Sequence, residues 1–104
     1  MEFLFDSRGS HIANLVGDQL HAPSGSNIGH WLANPGIFID MDGRYLGEIV
    51  ADNRLLRRRT SPYAGVNYGV YGNYGNVGNY GNPGRRGVIS LPFGFEDVDT
   101  IWLG

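Results

Sequence analysis

The chain contains no cysteine and no lysine. Without thiols it can form no disulfide, no thiolate metal site and no cysteine nucleophile. All eight cationic residues are arginine and the formal net charge is −2, which argues against a protein that is basic as a whole. No apolar run approaches the ~18–20 residues of a membrane-spanning helix. The first residues lack the basic and long apolar regions of a signal peptide, so the expected location is the cytoplasm. No stretch shows helical apolar periodicity with caps, and the expected fold class is therefore all-β. At 104 residues the chain has the length of one small domain. Residues 65–84 are Gly/Tyr/Asn-rich, which leaves roughly 80 residues to supply a core; a body of that size buries a modest fraction of its surface, and a homo-oligomer is expected.

What is present is a spaced repeat. Gly9-Ser10-His11-Ile12-Ala13-Asn14-Leu15, Gly25-Ser26-Asn27-Ile28-Gly29-His30-Trp31 and Gly43-Arg44-Tyr45-Leu46-Gly47-Glu48-Ile49 share one form. Each runs Gly, two mostly polar residues, an aliphatic residue, a small residue, a polar residue and a large apolar one, as expected of a repeated structural unit. Gly65-Val66-Asn67-Tyr68-Gly69-Val70-Tyr71 is a weaker fourth copy. Each strong copy follows a short apolar run and a turn. Glu2–Phe5 leads through Asp6-Ser7-Arg8-Gly9 to a return over 10–16. Gln19-Leu20-His21 leads through Ala22-Pro23-Ser24-Gly25 to 26–32. Gly36–Asp40 leads through Met41-Asp42-Gly43 to 44–50. Aspartate, which hydrogen-bonds its own backbone, followed by glycine is a hairpin turn with a mechanism. Arg54-Leu55-Leu56-Arg57 opens a fourth unit, with Tyr63 to Tyr71 as its expected return.

Strict alternation places Ile12, Ile28 and Leu46 on one strand face, with Ala13, Gly29, Gly47 and the later Leu15, Trp31, Ile49 on the other. Either both faces are partly buried or a bulge brings both sets to one side. A small residue recurring at one place in each strand predicts that the units crowd together there. Four such hairpins around a shared centre bury what a single hairpin cannot. Gly65 and Gly69 are expected to complete the structural set Gly9, Ala13, Gly25, Gly29, Gly43, Gly47.

After residue 62 the character changes. Tyr71-Gly72-Asn73, Tyr74-Gly75-Asn76, Val77-Gly78-Asn79 and Tyr80-Gly81-Asn82 recur as triplets, which predicts a flexible or polyproline-like segment rather than helix or sheet. The expected organisation is hairpin repeats over 1–62, an irregular arm over 63–86, and C-terminal strands over 87–104 that dock back on the body. Within that last part Val88–Phe93 reads as a strand, Gly94–Asp99 as an acidic turn, and Thr100–Leu103 as apolar.

These units resemble the small bacterial 4-fold beta-flower proteins. The resemblance is carried by Leu4-Phe5-Asp6-Ser7-Arg8-Gly9 with Ile12-Ala13-Asn14-Leu15, Ser24-Gly25 with Ile28-Gly29-His30-Trp31, and Ile39-Asp40-Met41-Asp42-Gly43 with Tyr45-Leu46-Gly47. It covers residues 3–50, about half of the chain. It implies repeated β-hairpins in a pseudo-fourfold, flower-like arrangement, and it brings no catalytic residues with it.

Signals for chemistry are few. Asp40-Met41-Asp42-Gly43 has the look of a calcium loop, but Phe38 and Ile49 stand where an EF-hand needs oxygen ligands. His11, His21 and His30 are the only histidines, and His11 and His30 occupy different repeat positions, so no metal site is predicted. The serines sit in turns or strand starts without a nucleophile elbow, and the paired carboxylates lie in turns. No catalytic residue and no cofactor is predicted. The candidate binding residues are the aromatics Trp31, Tyr45, Tyr63, Tyr68, Tyr71, Tyr74 and Tyr80, and the arginines Arg57, Arg58, Arg59, Arg85 and Arg86. Tyrosines interleaved with glycine and asparagine provide rigid contact area on an adaptable backbone. The expected function is a non-catalytic binding or assembly module, contacting a protein partner or a second copy through 63–84. The alternative is single-stranded nucleic-acid or glycan binding through the arginine cluster and the tyrosines. Against the nucleic-acid version, Glu96, Asp97 and Asp99 can pair with those arginines within the chain.

Overall fold

A computed structural model describes residues 1–98. It is all-β, with eight strands: β1 (Glu2–Phe5), β2 (His11–Val16), β3 (Gln19–His21), β4 (Asn27–Leu32), β5 (Ile37–Asp40), β6 (Tyr45–Val50), β7 (Arg54–Arg58) and β8 (Phe95–Asp97). Each pairs antiparallel with the next, and a parallel bridge from Phe5 to Arg54 joins β1 to β7. Seven strands thus close into a barrel. The bridge uses only the start of β7, and β8 covers the rest by pairing Leu56, Arg57 and Arg58 with Asp97, Glu96 and Phe95. Among the described residues no helix is long and apolar enough to cross a membrane.

The three expected hairpins form, and each is interrupted at the same place. Leu4 faces Ala13 but Phe5 faces His11, which leaves Ile12 as the extra residue. Leu20–Gly29 and His21–Asn27 leave Ile28 in the same way, and Phe38–Gly47 and Ile39–Tyr45 leave Leu46. Of the two readings of the sequence parity, the structure takes the bulge. An extra residue turns the strand so that neighbours which would alternate share a side. Ile12, Ala13, Ile28 and Leu46 accordingly enter one core with Leu4, Leu20, Phe38, Leu55 and Val98, while Leu15, Trp31 and Ile49 pack against it.

The small residues in these strands sit where one hairpin meets the next. A Cβ on Gly29 would lie 2.5 Å from the Ile39 carbonyl oxygen, and one on Gly47 would lie 2.7 Å from that of Leu56. Ala13, at the matching position, is fully buried.

Arg54 locks the closure. It is 1% exposed and its guanidinium donates to the carbonyls of Asp6 (3.0 Å) and Gly87 (2.7 Å) and to Asp52 Oδ2 (3.0 Å). The first turn, the start of β7 and the end of the long 59–94 connection therefore converge on one side chain. Such charge-assisted bonds are stronger than neutral ones. Asp97 adds a second tie, accepting from Ser7 N (2.8 Å) and Ser7 Oγ (2.6 Å).

The second half of the chain corrects several expectations. The return strand that pairs with β7 is Phe95–Asp97, in the segment read as an acidic turn, and not Tyr63–Tyr71. Gly65 and Gly69 lie in no strand, and a Cβ on either would meet nothing within 4 Å, so they share none of the crowding of Gly29 and Gly47. Val88–Phe93 forms no strand. Among the described residues it is tied to the barrel backbone by Ile89 N donating to Ser7 O at 2.9 Å, and Pro92 has no N–H to offer a ladder. The expected docking of Thr100–Leu103 falls outside the described residues.

Candidate functional site

The three hairpin turns are built alike. Asp6, Ala22 and Asp40 each donate a backbone N–H to the residue four positions on, and accept one from Gly9, Gly25 and Gly43 respectively. In the first and third turns the aspartate carboxylate also takes two turn amides, those of Arg8 and Ser10 and those of Asp42 and Arg44. These bonds account for the Asp…Gly signature.

The arm crosses these turns in reverse order. Tyr68 N donates to Gly43 O, Val77 N to Gly25 O and Arg86 N to Gly9 O, each at 2.9 Å. The anchors fall at every ninth residue, or every third triplet. The three turn glycines have φ of +84°, +107° and +87°, which L side chains adopt at a cost. A Cβ on any of them would also collide with arm backbone, at Gly69, Val77 and Arg86. Glycine is thus required at these positions both for the turn and for the passage of the arm.

Along its length the arm carries Asx turns, where a flexible or polyproline-like segment was expected. Asn67, Asn73, Asn79 and Asn82 accept through Oδ1 from the amides of Gly69, Gly75, Gly81 and Gly84 at 2.7–2.8 Å, and all four glycines have positive φ. The triplet pattern by itself does not show where the arm is held. No single residue type marks the anchors: Val77 and Arg86 depart from tyrosine but Tyr68 does not, and Pro83 departs without an anchor.

The aromatic candidates divide into two groups. Tyr45 is buried; its hydroxyl donates to Glu48 Oε2 (2.8 Å) and accepts from Arg58 N (2.9 Å). Burial foremost pushes its pKa up to about 12, which keeps it a neutral phenol. Tyr63 and Tyr68 pack half-buried against Ile37, Ile39 and Tyr45, and Trp31 packs on Phe38 with ring centroids 4.9 Å apart. These four hold the fold together. Tyr71, Tyr74 and Tyr80 are exposed. Two of them lean on His30, Tyr71 stacked at 5.6 Å and Tyr74 edge-on at 5.5 Å, and Tyr74 N also donates to Asn27 Oδ1 at 3.0 Å.

The arginine candidates are engaged within the chain. Arg57 and Arg59 approach Glu96, each at 3.9 Å, and Arg58 approaches Glu48 at 3.6 Å. Arg57 also donates to Tyr45 O (2.7 Å) and lies over the Tyr45 ring. Arg86 pairs with Asp52 at 2.7 Å and covers the Phe5 ring at 4.5 Å. Arg54 and Arg86 together hold the Asp52 carboxyl below its usual range, the hydrogen bond from Arg54 contributing most. Arg85 is exposed and reaches Arg8 O at 2.9 Å. Asp97 serves Ser7, and Asp99 lies outside the described residues.

The histidines have separate tasks. His11 Nε2 contacts Asn14 Oδ1 (2.6 Å) and His21 Nδ1 contacts Gly25 O (3.0 Å). Among the described residues no group of three or more His, Asp or Glu side chains is placed to hold a metal. His30 Nδ1 lies 2.5 Å from Gln19 Oε1, while its Nε2 is buried without a hydrogen-bond partner among the described residues. Burial lowers its pKa below 6.5, because a proton on Nε2 would be an unsolvated charge beneath the arm. The unfolded chain then takes up a proton before the folded one does. Stability is therefore expected to be full above the unfolded value and to fall as pH drops through about 6.5 towards the folded value. A His30→Gln variant, melted between about pH 7.5 and 5, is expected to show a shallower loss than the parent; equal slopes would remove His30 from this role.

No protein-family model matches the chain, and no curated protein or solved structure matches it significantly.

Proposed function

We propose that this chain is a non-catalytic binding or assembly module whose contact segment is the arm, and whose partner is another protein or a second copy of itself. The observation that carries this reading is the row Tyr71, Tyr74 and Tyr80, exposed on a backbone fixed at Tyr68, Val77 and Arg86. Aromatic rings held in place before contact lose little entropy on binding. The same reading takes the barrel as four hairpin units of the beta-flower type, with residues 59–94 inserted into the fourth. The shared bulge supports it, as do the core positions Leu4 with Ile12, Leu20 with Ile28, Phe38 with Leu46, and Leu55 with Val98.

The test is the triple variant Tyr71→Ala/Tyr74→Ala/Tyr80→Ala, compared with the parent by sedimentation velocity and by affinity capture from the source cell. Loss of at least about tenfold in self-association or partner affinity is expected, with a melting temperature lowered by less than about 6 °C. Unchanged sedimentation and an unchanged capture profile would reject the arm as contact segment.

A further inference from the structure

Beside the tyrosine row, the last span of the arm roofs a cleft of about 550 Å³ between the first two hairpin turns. That volume lies within the range of small-molecule sites. Its polar lining comes from Ser10 and His11 of the first hairpin, Ser24 of the second turn, and Asn79, Asn82 and Arg85 of the arm. Among the described residues no carboxylate lines it, although the chain as a whole is acidic.

The Asx turns give this lining its chemistry. The Oδ1 atoms of Asn79 and Asn82 each already accept from an amide, that of Gly81 and that of Gly84. What these side chains offer most freely is their Nδ2 donors. Arg85 spends one N–H on Arg8 O, no described carboxylate pairs with it, and its remaining donors match the fork geometry that recognises phosphate. His11 faces two acceptors, Ala13 O and Asn14 Oδ1, with Nε2, so Nε2 carries the N–H and Nδ1 is the ring nitrogen left for a ligand. The two serine hydroxyls donate or accept. One cation with an excess of neutral donors, beside hydroxyls and one acceptor, complements an oxyanion carried on a hydroxylated skeleton.

We propose that this cleft is a binding site for a small phosphorylated polyol, with Arg85 and the Asn79 and Asn82 amides on the phosphate and Ser10, Ser24 and His11 on the hydroxyls. The proposal does not rest on the arm acting as a protein contact.

The test is amide chemical-shift titration of the full chain with glucose 6-phosphate, glucose and inorganic phosphate in parallel. Saturable shifts confined to the amides of residues 10–11, 24, 79–82 and 84–85 are expected with glucose 6-phosphate, with glucose and inorganic phosphate each at least about tenfold weaker. In Asn82→Asp the carboxylate still accepts from the Gly84 amide, so the turn is kept while a negative charge enters the cleft. This variant is expected to fold as the parent and to lose glucose 6-phosphate binding by more than about tenfold. Arg85→Gln, at an exposed position, should weaken it comparably. Absence of saturable shifts up to about 20 mM, equal affinity for glucose or for inorganic phosphate, or undiminished binding by Asn82→Asp would each overturn the assignment.

Discussion

Gly47→Val is expected to lower the melting temperature by more than about 12 °C, which is about 3 kcal/mol for a domain of this size, or to prevent folding. Gly47 lies where β6 is pressed against β7. Its added Cβ would sit 2.7 Å from the Leu56 carbonyl oxygen and 3.2 Å from Val98 Cγ2. The first neighbour is backbone in a paired strand, so it cannot yield by changing a rotamer. Relief requires β7 to move, and β7 carries both the barrel closure and β8. Overpacking a filled core typically costs about 1–3 kcal/mol; a valine driven into a strand junction belongs at the upper end or beyond. Gly78→Val is the control, because a Cβ there meets nothing within 4 Å and its φ is not positive. It is expected to melt within about 2 °C of the parent. Equal thermal stability of the two variants would refute the crowding argument.

Gly43→Ala is expected to detach the first anchor of the arm. Both Gly43 and Gly69 have φ of +84°, but a Cβ on Gly43 would strike the backbone of Gly69, whereas one on Gly69 meets open space. The pair separates two costs that usually come together. Gly69→Ala should cost only the left-handed backbone penalty of about 1–2 kcal/mol. Gly43→Ala carries that penalty and must also displace the arm, losing the bond from Tyr68 N to Gly43 O and loosening Tyr63 and Tyr68 from Ile37 and Ile39. A further loss of about 2 kcal/mol, or about 8 °C, is expected. Hydrogen exchange locates the effect: the Tyr68 amide should exchange at least about tenfold faster in Gly43→Ala than in Gly69→Ala. Matching melting temperatures and matching exchange at Tyr68 would mean that the arm does not depend on this turn.

Both predictions concern glycines picked out by the sequence, yet their reasons were legible to different degrees. Gly47 recurs at the same offset in a repeated unit, and that recurrence was enough to place it at a junction between strands. Gly43 was legible as a turn residue after Asp40, but nothing near it announces that Tyr68 and Gly69 pass overhead. The candidate binding residues divide in the same way. Composition marked every tyrosine from 63 to 80 alike. Exposure of Tyr71, Tyr74 and Tyr80, against burial of Tyr45 and half-burial of Tyr63 and Tyr68, depends on which triplets touch the barrel. The cleft beneath the arm left no local trace, since Ser10, Ser24 and Arg85 come together only through the anchoring at Gly9 and Gly25.

By itself the sequence determined the all-β class, the three hairpins and the positions of their turns, because these follow from neighbours in the chain: alternation, Asp…Gly turn chemistry, and a small residue at a fixed offset. It determined that the repeats crowd, because periodicity carries that information. Tertiary structure alone decided that β7 is answered by Phe95–Asp97 across residues 59–94, that Arg54 is buried at the closure, and that the glycine-rich arm is bound to three turn carbonyls. Each of these joins groups far apart in the chain, through backbone atoms or a single guanidinium. A backbone hydrogen bond can be made by almost any residue, so it leaves little mark on the sequence that makes it.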